Sequence, residues 1–233
     1  MEEGDKMISK ESPFRIDRGQ IRENLRVKKG SSLAAQLERL MDEAEAVGRP
    51  KTCYRVAYVD GKEEDRVILE GVPFTSRVLR VNLERAHRVF LFVATSGWEL
   101  EEWSKSARGI LEQYWADVIK EGALRWAIQN LSEDLANRYR PGPLSRMGPG
   151  SLPDWPLEEQ RSLFAVLGDE PVRIGVRLSE TLLMTPVKSV SGIFFPTEER
   201  FESCQLCPRE RCIGRRAPYE PHLLNQKYLQ RKS

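Results

Sequence analysis

Three of the four cysteines lie close together near the C-terminus. Cys204 and Cys207 have CxxC spacing, and Cys212 follows five residues later. A CxxC turn can direct two thiolates to one ion, and a third thiolate nearby indicates zinc or an iron–sulfur cluster. The spacing does not distinguish these two metals. The alternatives are three reduced, unligated cysteines or a redox-active CxxC pair.

No fourth metal ligand is evident beside this cluster. Cys53 and His222 are the candidates, and an open coordination position fits equally well. Cys53 lies in a predicted strand, where a thiol more often packs in a core than binds a metal. The spacing therefore predicts a metal site at Cys204, Cys207 and Cys212 with its fourth ligand left open.

The cysteine cluster opens a basic tail. From Pro208 to Ser233 there are seven Lys/Arg and two Asp/Glu, a local charge of +5, which leaves −3 for the rest of a chain whose total is +2. Tyr219 and Tyr228 are the only aromatic residues in that stretch, so nucleic-acid binding is not expected. A docking surface for an acidic partner is the alternative use of this charge.

Two carboxylates, Asp117 and Glu121, stand four residues apart on the longest predicted helix, from Leu100 to about residue 138. At about 100° per residue, Glu121 shares the helix sector of Ile110 and Tyr114, which belong to an apolar stripe. A carboxylate on a buried face needs a partner. That partner is either a cationic group of a ligand or a neighbouring lysine or arginine on the same helix.

A Pro/Gly-rich passage follows this helix over residues 140–154 and is predicted to be irregular. Within it, Arg146 is suited to pair with a carboxylate. Gly148 and Gly150 permit a ligand to approach the backbone closely. The alternative is a surface loop in which the glycines only turn the chain.

The remaining pattern predicts an α+β fold. A helix over Leu33–Met41 starts after Ser31 and ends by Gly48; a short helix spans Pro156–Leu167. No βαβ rhythm or phosphate-binding glycine pattern occurs. A hairpin is predicted from strands Cys53–Val59 and Arg66–Val72, with its turn at Asp60–Gly61. Three further strands are predicted at His87–Ala94, which is expected to be buried, at Val172–Leu178 and at Ser189–Phe195.

Composition places the 233-residue chain among globular proteins, with 40% hydrophobic and 31% charged residues. No stretch approaches the roughly 18 apolar residues of a membrane helix, and the charged start does not look like a secretion signal. We therefore expect a cytoplasmic protein without a membrane partner. The expected organisation is a flexible N-terminus at 1–13, a domain at 14–196 and a Cys-containing basic tail at 197–233.

Several short segments follow one another in an order and spacing that resemble a known family. They are Arg146-Met-Gly-Pro-Gly150, Asp154-Trp-Pro-Leu-Glu-Glu-Gln160, Ile174–Glu180, Met184-Thr-Pro186 and Lys188-Ser-Val-Ser-Gly192. Together they resemble the activation (reactivation) domain of cobalamin-dependent methionine synthase. The resemblance is good over about residues 85–196 and loose over 10–85. The cysteine tail lies outside that domain, but it is similar to free-standing versions found in anaerobes beside corrinoid methyltransferases.

The resemblance implies a twisted antiparallel sheet with flanking helices. It also implies a corrinoid-protein reactivation factor that binds S-adenosylmethionine and supports reductive methylation of cob(II)alamin. The cobalamin is carried by a partner methyltransferase or corrinoid protein, with an electron donor as a further partner. Whether this chain is itself an enzyme is left open. The alternative is a zinc or iron–sulfur accessory protein that docks on a corrinoid protein, or passes electrons to it, without binding S-adenosylmethionine.

The resemblance also implies roles for individual residues. Arg146 matches the arginine that pairs with the ligand carboxylate, and the loop Gly148, Pro149 and Gly150 wraps the ligand. Asp117 and Glu121 lie on the helix that carries the family's ligand-facing acidic residues. Ser151 and Phe194 stand where the family has tyrosines; Phe194 lacks the hydroxyl, and each of the two changes removes a polar contact of about 1 kcal/mol or more. We therefore expect S-adenosylmethionine binding to be weakened.

Overall fold

An antiparallel β-sheet forms the centre of the molecule in the computed structural model, which describes residues 8–11, 14–212 and 214–229. Its main strands run in the order β4-β3-β2-β5-β9-β6, and β1 pairs with the first half of β2. β7 and β8 form a separate two-stranded sheet. The strands are β1 (Ile8–Glu11), β2 (Lys51–Lys62), β3 (Arg66–Leu69), β4 (Val72–Thr75), β5 (Arg88–Thr95), β6 (Leu144–Met147), β7 (Arg177–Leu178), β8 (Met184–Thr185) and β9 (Ser189–Pro196).

Helices cover both faces of this sheet. The long helix α5 packs on one face, while α3, α6 and the C-terminal segment pack on the other. A third apolar cluster joins α2 and α4 to the first half of α5. The predicted α+β fold is confirmed. The helices are α1 (Arg18–Leu25), α2 (Ser32–Val47), α3 (Arg77–Asn82), α4 (Trp98–Ser104), α5 (Gly109–Tyr139), α6 (Gln160–Leu167) and α7 (Glu170–Arg173), with 3₁₀ turns at Leu157–Glu159 and Ser203–Leu206 and a π-helical turn at Leu224–Leu229.

Strand β5 is the buried middle of the sheet, as its continuous apolar sequence predicts. Every residue after Arg88 is buried, which requires apolar side chains on both faces. Phe90 and Phe92 point into the cluster beneath α5, whereas Leu91 and Val93 point into the cluster beneath α6. The alternation follows from the two-residue period of a strand. None of the described helices is both long and apolar enough to cross a lipid bilayer.

The helical predictions are confirmed for α2 and corrected for the longest helix. Ser31 caps α2 and Gly48 follows its last residue, as predicted. The stretch predicted as one helix from Leu100 is two helices, and α5 begins at Gly109 with a φ of 68°. Ile110 is 87% exposed and Tyr114 is also exposed, so the predicted apolar stripe does not continue into the first turn of α5. Further along α5 the predicted apolar stripe is confirmed, since Trp115, Ile119, Ala123 and Leu131 are buried.

The predicted hairpin turn at Asp60–Gly61 is wrong. β2 continues to Lys62, and the register with β3 shifts between Val59 and Gly61, so this dipeptide forms a β-bulge. The connection from β2 to β3 runs over residues 63–65, and a second, tight turn joins β3 to β4 at Glu70–Gly71, where φ is 49° and 74°. Two consecutive positive φ angles match the twist of a two-residue hairpin.

Three further stretches differ from what the sequence predicts, two of them because pairing at a sheet edge overrides local composition. Residues 8–11, predicted to be flexible, form β1; residues 1–7 and 12–13 lie outside the described part of the chain. The Pro/Gly-rich passage contains β6, which pairs with β9. The predicted strand Val172–Leu178 begins as part of α7 and reaches extended structure only at β7.

Asp154 ties the Pro/Gly-rich passage to α3. Its carboxylate accepts a hydrogen bond from the Ser76 hydroxyl. It also accepts hydrogen bonds from the backbone N–H groups of Arg77, at 3.2 Å, and Val78, at 2.9 Å. These N–H groups belong to the first turn of α3 and have no partner within the helix. The Asp154-Trp155-Pro156 motif is therefore structural, with Trp155 fully buried beside this cap.

Asp154→Ala is expected to lower the free energy of unfolding by about 1–3 kcal/mol, because it removes a helix cap and leaves the Ser76 hydroxyl without its acceptor. Equilibrium unfolding in urea measures this change. Glu158→Ala, at an exposed position four residues away, is the control and should change the stability by less than about 0.5 kcal/mol. Equal effects of the two substitutions would contradict the capping role.

Candidate functional site

A cavity of about 470 Å³ lies between α5 and the segment that leads into α1. Phe14, Ile21 and Trp126 form part of its apolar wall. Its polar lining contains the two carboxylates that the sequence singled out, Asp117 and Glu121. The charged side chains around it are Arg15, Asp17, Asp117, Glu121, Arg125 and Lys188.

Asp117 and Glu121 are brought together by the helical spacing of α5 and are joined by one lysine. Lys188 Nζ lies 3.0 Å from Asp117 Oδ2 and 3.8 Å from Glu121 Oε2. Glu121 Oε1 also accepts from Arg125 Nε at 3.2 Å, an i,i+4 pair. Lys120, which precedes Glu121 on α5, pairs with Glu101 at 3.1 Å. Both carboxylates thus have protein partners and face the cavity.

Arg146 and the loop after it are positioned by the pairing of β6 with β9. Arg146 lies opposite Phe194, and Met147 opposite Ile193. A Cβ on Gly148 would lie 2.7 Å from the carbonyl oxygen of Ser191, a distance that real side chains do not adopt. Glycine at position 148 is therefore required by the close approach of the two backbones. Pro149 and Gly150 follow as a turn in which Gly150 has a φ of 76°.

The Arg146 guanidinium lacks a close anionic partner. It makes no hydrogen bond or ion pair with any residue that the structure describes. Burial and, to a smaller extent, nearby Arg216 lower the pKa of Arg146 from 12.5 to about 10, while Glu202 and Cys204 act in the opposite direction. A half-buried cation without an anionic partner is unfavourable for the protein alone. It can be stabilised by an anion that arrives with a ligand.

Phe194 and Ser151 occupy different environments. Phe194 is 3% exposed, and its ring centroid lies 4.6 Å from that of Phe92, inside the cluster beneath α5. In this conformation its ring packs in the hydrophobic core. Ser151 is exposed, and its hydroxyl lies 3.5 Å from that of Ser203 in the tail.

The acidic pair and the Arg146 loop lie towards the same face of the sheet. Arg146 shares the face of Phe194, since opposed residues of paired strands point the same way. Lys188 lies six residues before Phe194. Because residues of an extended chain alternate between faces, this even separation places Lys188 on the same face as Phe194. Six residues span about 20 Å of extended chain at about 3.3 Å per residue. The residues lining the cavity include Asp117 and Glu121 but none of residues 146–151. The structure thus unites the two carboxylates and keeps the arginine loop separate from them.

The C-terminal tail borders the Arg146 loop, which the sequence did not reveal. Glu202 forms an isolated parallel bridge with Arg146, and the backbone N–H of Phe201 donates to Ser145 Oγ at 2.7 Å. Arg216 Nε donates to Glu202 Oε2 at 2.7 Å. Phe201 and Tyr228 are buried in the main apolar cluster. These two aromatic residues are the signal in the sequence that the tail packs on the domain.

The cysteines do not form a ligand set in this conformation. Cys204 and Cys207 are half-buried, Cys212 is exposed, and within the described residues no group of three His, Cys, Asp or Glu side chains is arranged to hold a metal ion. The metal site and the metal-accessory role therefore stay predictions. Cys53 is a core thiol, as predicted: burial raises its pKa to about 12.

A single guanidinium holds the cysteine segment together. Arg215 donates to the carbonyl oxygen of Cys204 at 3.1 Å, to that of Cys207 at 3.3 Å, and to those of Arg209 and Ala217. The backbone N–H of Arg216 also donates to Cys204 Sγ at 3.4 Å. A side-chain cation thus closes this loop by binding its carbonyl groups.

Comparison with known proteins supports the fold. No protein-family model matches the chain, and no curated protein matches its sequence. Among solved structures, it is similar to the crystal structure of the MetH reactivation domain bound to AdoHcy, with a TM-score of 0.57 and 14% sequence identity. The match covers 84% of this chain and 80% of that chain. At this identity the similarity establishes the architecture; AdoHcy is the ligand of that neighbour.

Arg215→Ala is expected to loosen the cysteine segment, because several carbonyl groups lose a charged donor. The labelling rates of Cys204 and Cys207 with a thiol reagent should rise by about tenfold, the effect of about 1.4 kcal/mol on local opening. Arg211→Ala, at an exposed position of the same segment, is the control. Unchanged labelling of both cysteines in Arg215→Ala would show that the carbonyl contacts do not hold the segment.

Proposed function

We propose that this chain binds S-adenosylmethionine and its thioether product, and that it serves as a reactivation factor for a corrinoid protein. The observation that carries the proposal is the half-buried Arg146 side chain, whose guanidinium has no hydrogen bond or ion pair among the described residues. It stands at the entrance of a glycine loop in a fold similar to that of the MetH reactivation domain. A ligand carboxylate would supply the missing anion.

The proposed ligand has charges that fit the two groups of residues. Its amino-acid carboxylate would take a bidentate, charge-assisted contact from Arg146. Its middle part would lie along Gly148 and Gly150, where no side chain obstructs the backbone. Its ammonium group, which is on the same carbon as the carboxylate, would stay beside Arg146, and its sulfonium, three bonds from that carbon, would face Asp117 and Glu121. The common orientation of these residues on one sheet face supports a ligand that extends between them.

The chemistry is divided between this chain and its partner. The corrinoid of the partner is the substrate, and a separate donor supplies the single electron that reduces cob(II)alamin. The methyl group then passes from sulfur to the reduced cobalt, while the electron pair of the S–CH₃ bond stays on sulfur and leaves a neutral thioether. This chain holds and orients the sulfonium compound. Ser151 and Phe194 offer no tyrosine hydroxyl to it, so binding is expected to be weak.

Arg146→Ala is expected to weaken binding of both S-adenosylmethionine and S-adenosylhomocysteine by tenfold or more, because a charge-assisted contact of about 1.5–3 kcal/mol is lost. Isothermal titration calorimetry measures the two dissociation constants. Arg85→Ala is the control, since Arg85 is exposed and pairs only with Glu198 among the described residues. The proposal fails if the unaltered protein binds neither compound at millimolar concentration, or if Arg146→Ala and Arg85→Ala bind equally well.

Arg146→Met should have the opposite effect on stability when no ligand is present. The substitution replaces an uncompensated half-buried cation with an apolar side chain of similar length, which removes a desolvation cost. We expect the melting temperature to rise by about 2–4 °C, the shift that about 1 kcal/mol gives in a protein of this size. Arg85→Met is the matched control.

The pH dependence of this gain follows from the direction of the pKa shift. The pKa of Arg146 is lowered from 12.5 to about 10 on folding, so the charged side chain disfavours the folded state at every pH below about 10. Above that value the folded protein releases the proton and the cost falls. Differential scanning calorimetry should therefore show the gain undiminished from pH 6 to 9. A loss of stability in Arg146→Met would contradict the unpartnered state of the guanidinium.

A further inference from the structure

Lys188 is the inner cation of the charged cluster in the cavity. Its side chain is 21% exposed, compared with 55% for Asp117 and 39% for Glu121. It contacts both carboxylates, whereas Arg125 contacts only Glu121 and is half exposed. A lysine placed between two carboxylates offsets one of their two negative charges in the region that a ligand would enter, and Arg125 offsets the other.

The backbone holds Lys188 in this place. The N–H of Ser96, just after β5, donates to the carbonyl oxygen of Lys188 at 2.9 Å. The next residue, Ser189, donates its hydroxyl proton to Thr95 Oγ1 at 2.9 Å and pairs with Thr95 in the sheet. Lys188 is thus anchored at the end of two central strands, and its side chain reaches the first half of α5.

The charges around the cavity balance. Asp17, Asp117 and Glu121 contribute three negative charges, and Arg15, Arg125 and Lys188 contribute three positive charges. A cationic sulfonium therefore meets no net negative charge there, unless Lys188 moves away. Asp117 and Glu121 alone would attract it, but their charge is already compensated by the protein.

We infer that Lys188 sets the charge preference of the ligand site, so that the site binds the neutral thioether S-adenosylhomocysteine about as tightly as the sulfonium S-adenosylmethionine. This inference rests on the proposed function. It assigns a specificity role to a residue whose type, lysine, is unexpected beside a cationic substrate. A consequence is that the product of methyl transfer competes effectively with the methyl donor.

The test compares two ligands that differ by one methyl group and one positive charge. Titration calorimetry gives the ratio of the dissociation constants of S-adenosylhomocysteine and S-adenosylmethionine for each variant. In the unaltered protein the ratio should lie within about threefold of one. In Lys188→Met it should rise by about fivefold or more in favour of S-adenosylmethionine, since two carboxylates then face a single arginine. This rise should shrink in high salt.

A second variant keeps the test valid if Lys188→Met does not fold. Glu121→Gln leaves one negative charge against two positive charges beside the ligand and should shift the ratio towards S-adenosylhomocysteine. Lys105→Met is the matched control, because Lys105 pairs with Glu102 and does not line the cavity. Its ratio should equal that of the unaltered protein. Melting temperatures of all variants verify that they are folded.

The outcomes separate this inference from the proposed function. If both ligands bind and the ratio is the same in the unaltered protein, Lys188→Met and Glu121→Gln, the role of Lys188 is wrong while ligand binding stands. If the unaltered protein already prefers S-adenosylmethionine by more than about tenfold, the inference is also wrong. If neither ligand binds at all, the proposed function fails and this inference fails with it.

Discussion

The close contact between β6 and β9 is the constraint on which the arrangement of the candidate site depends. A Cβ on Gly192 would lie 2.4 Å from the carbonyl oxygen of Met147, and one on Gly148 would lie 2.7 Å from that of Ser191. Both positions therefore require glycine. The contact holds β6 against β9 as the last strand of the sheet, with Arg146 near its rim and the Pro149–Gly150 turn directly after it. It also leaves the outer side of β6 available to Glu202.

The same strand connects the two charged parts of the face. β9 begins directly after Lys188, which compensates the acidic pair on α5, and passes Arg146 near its other end. The two parts differ in one respect that matters for function. The carboxylates already have partners in the protein, whereas the guanidinium has none among the described residues. For the proposed ligand, the contact of its carboxylate with Arg146 would therefore contribute more than the contact of its sulfonium with Asp117 and Glu121.

The sequence predicted elements that depend on neighbouring residues better than features that depend on pairing between distant strands. The continuous apolar run of β5 and the capped helix α2 were predictable, because burial and capping act on neighbouring residues. The bulge at Asp60, the strand status of β6 and the placement of β1 depend on pairing with distant strands, which local composition does not encode. Phe194 illustrates the limit: its position in β9 was predicted, but its packing against Phe92 depends on the register between β5 and β9.

The C-terminal tail changes how the charge of the molecule is understood. Its basic character suggested a separate surface for an acidic partner, yet two of its arginines are used internally: Arg215 by carbonyl groups and Arg216 by Glu202. Phe201 and Tyr228 anchor the tail in the same core as β5 and α6. Because the tail brings Glu202, Cys204 and Arg216 close to Arg146, it contributes directly to the electrostatics of that arginine. An anion bound to Arg146 would therefore lie close to these residues of the tail.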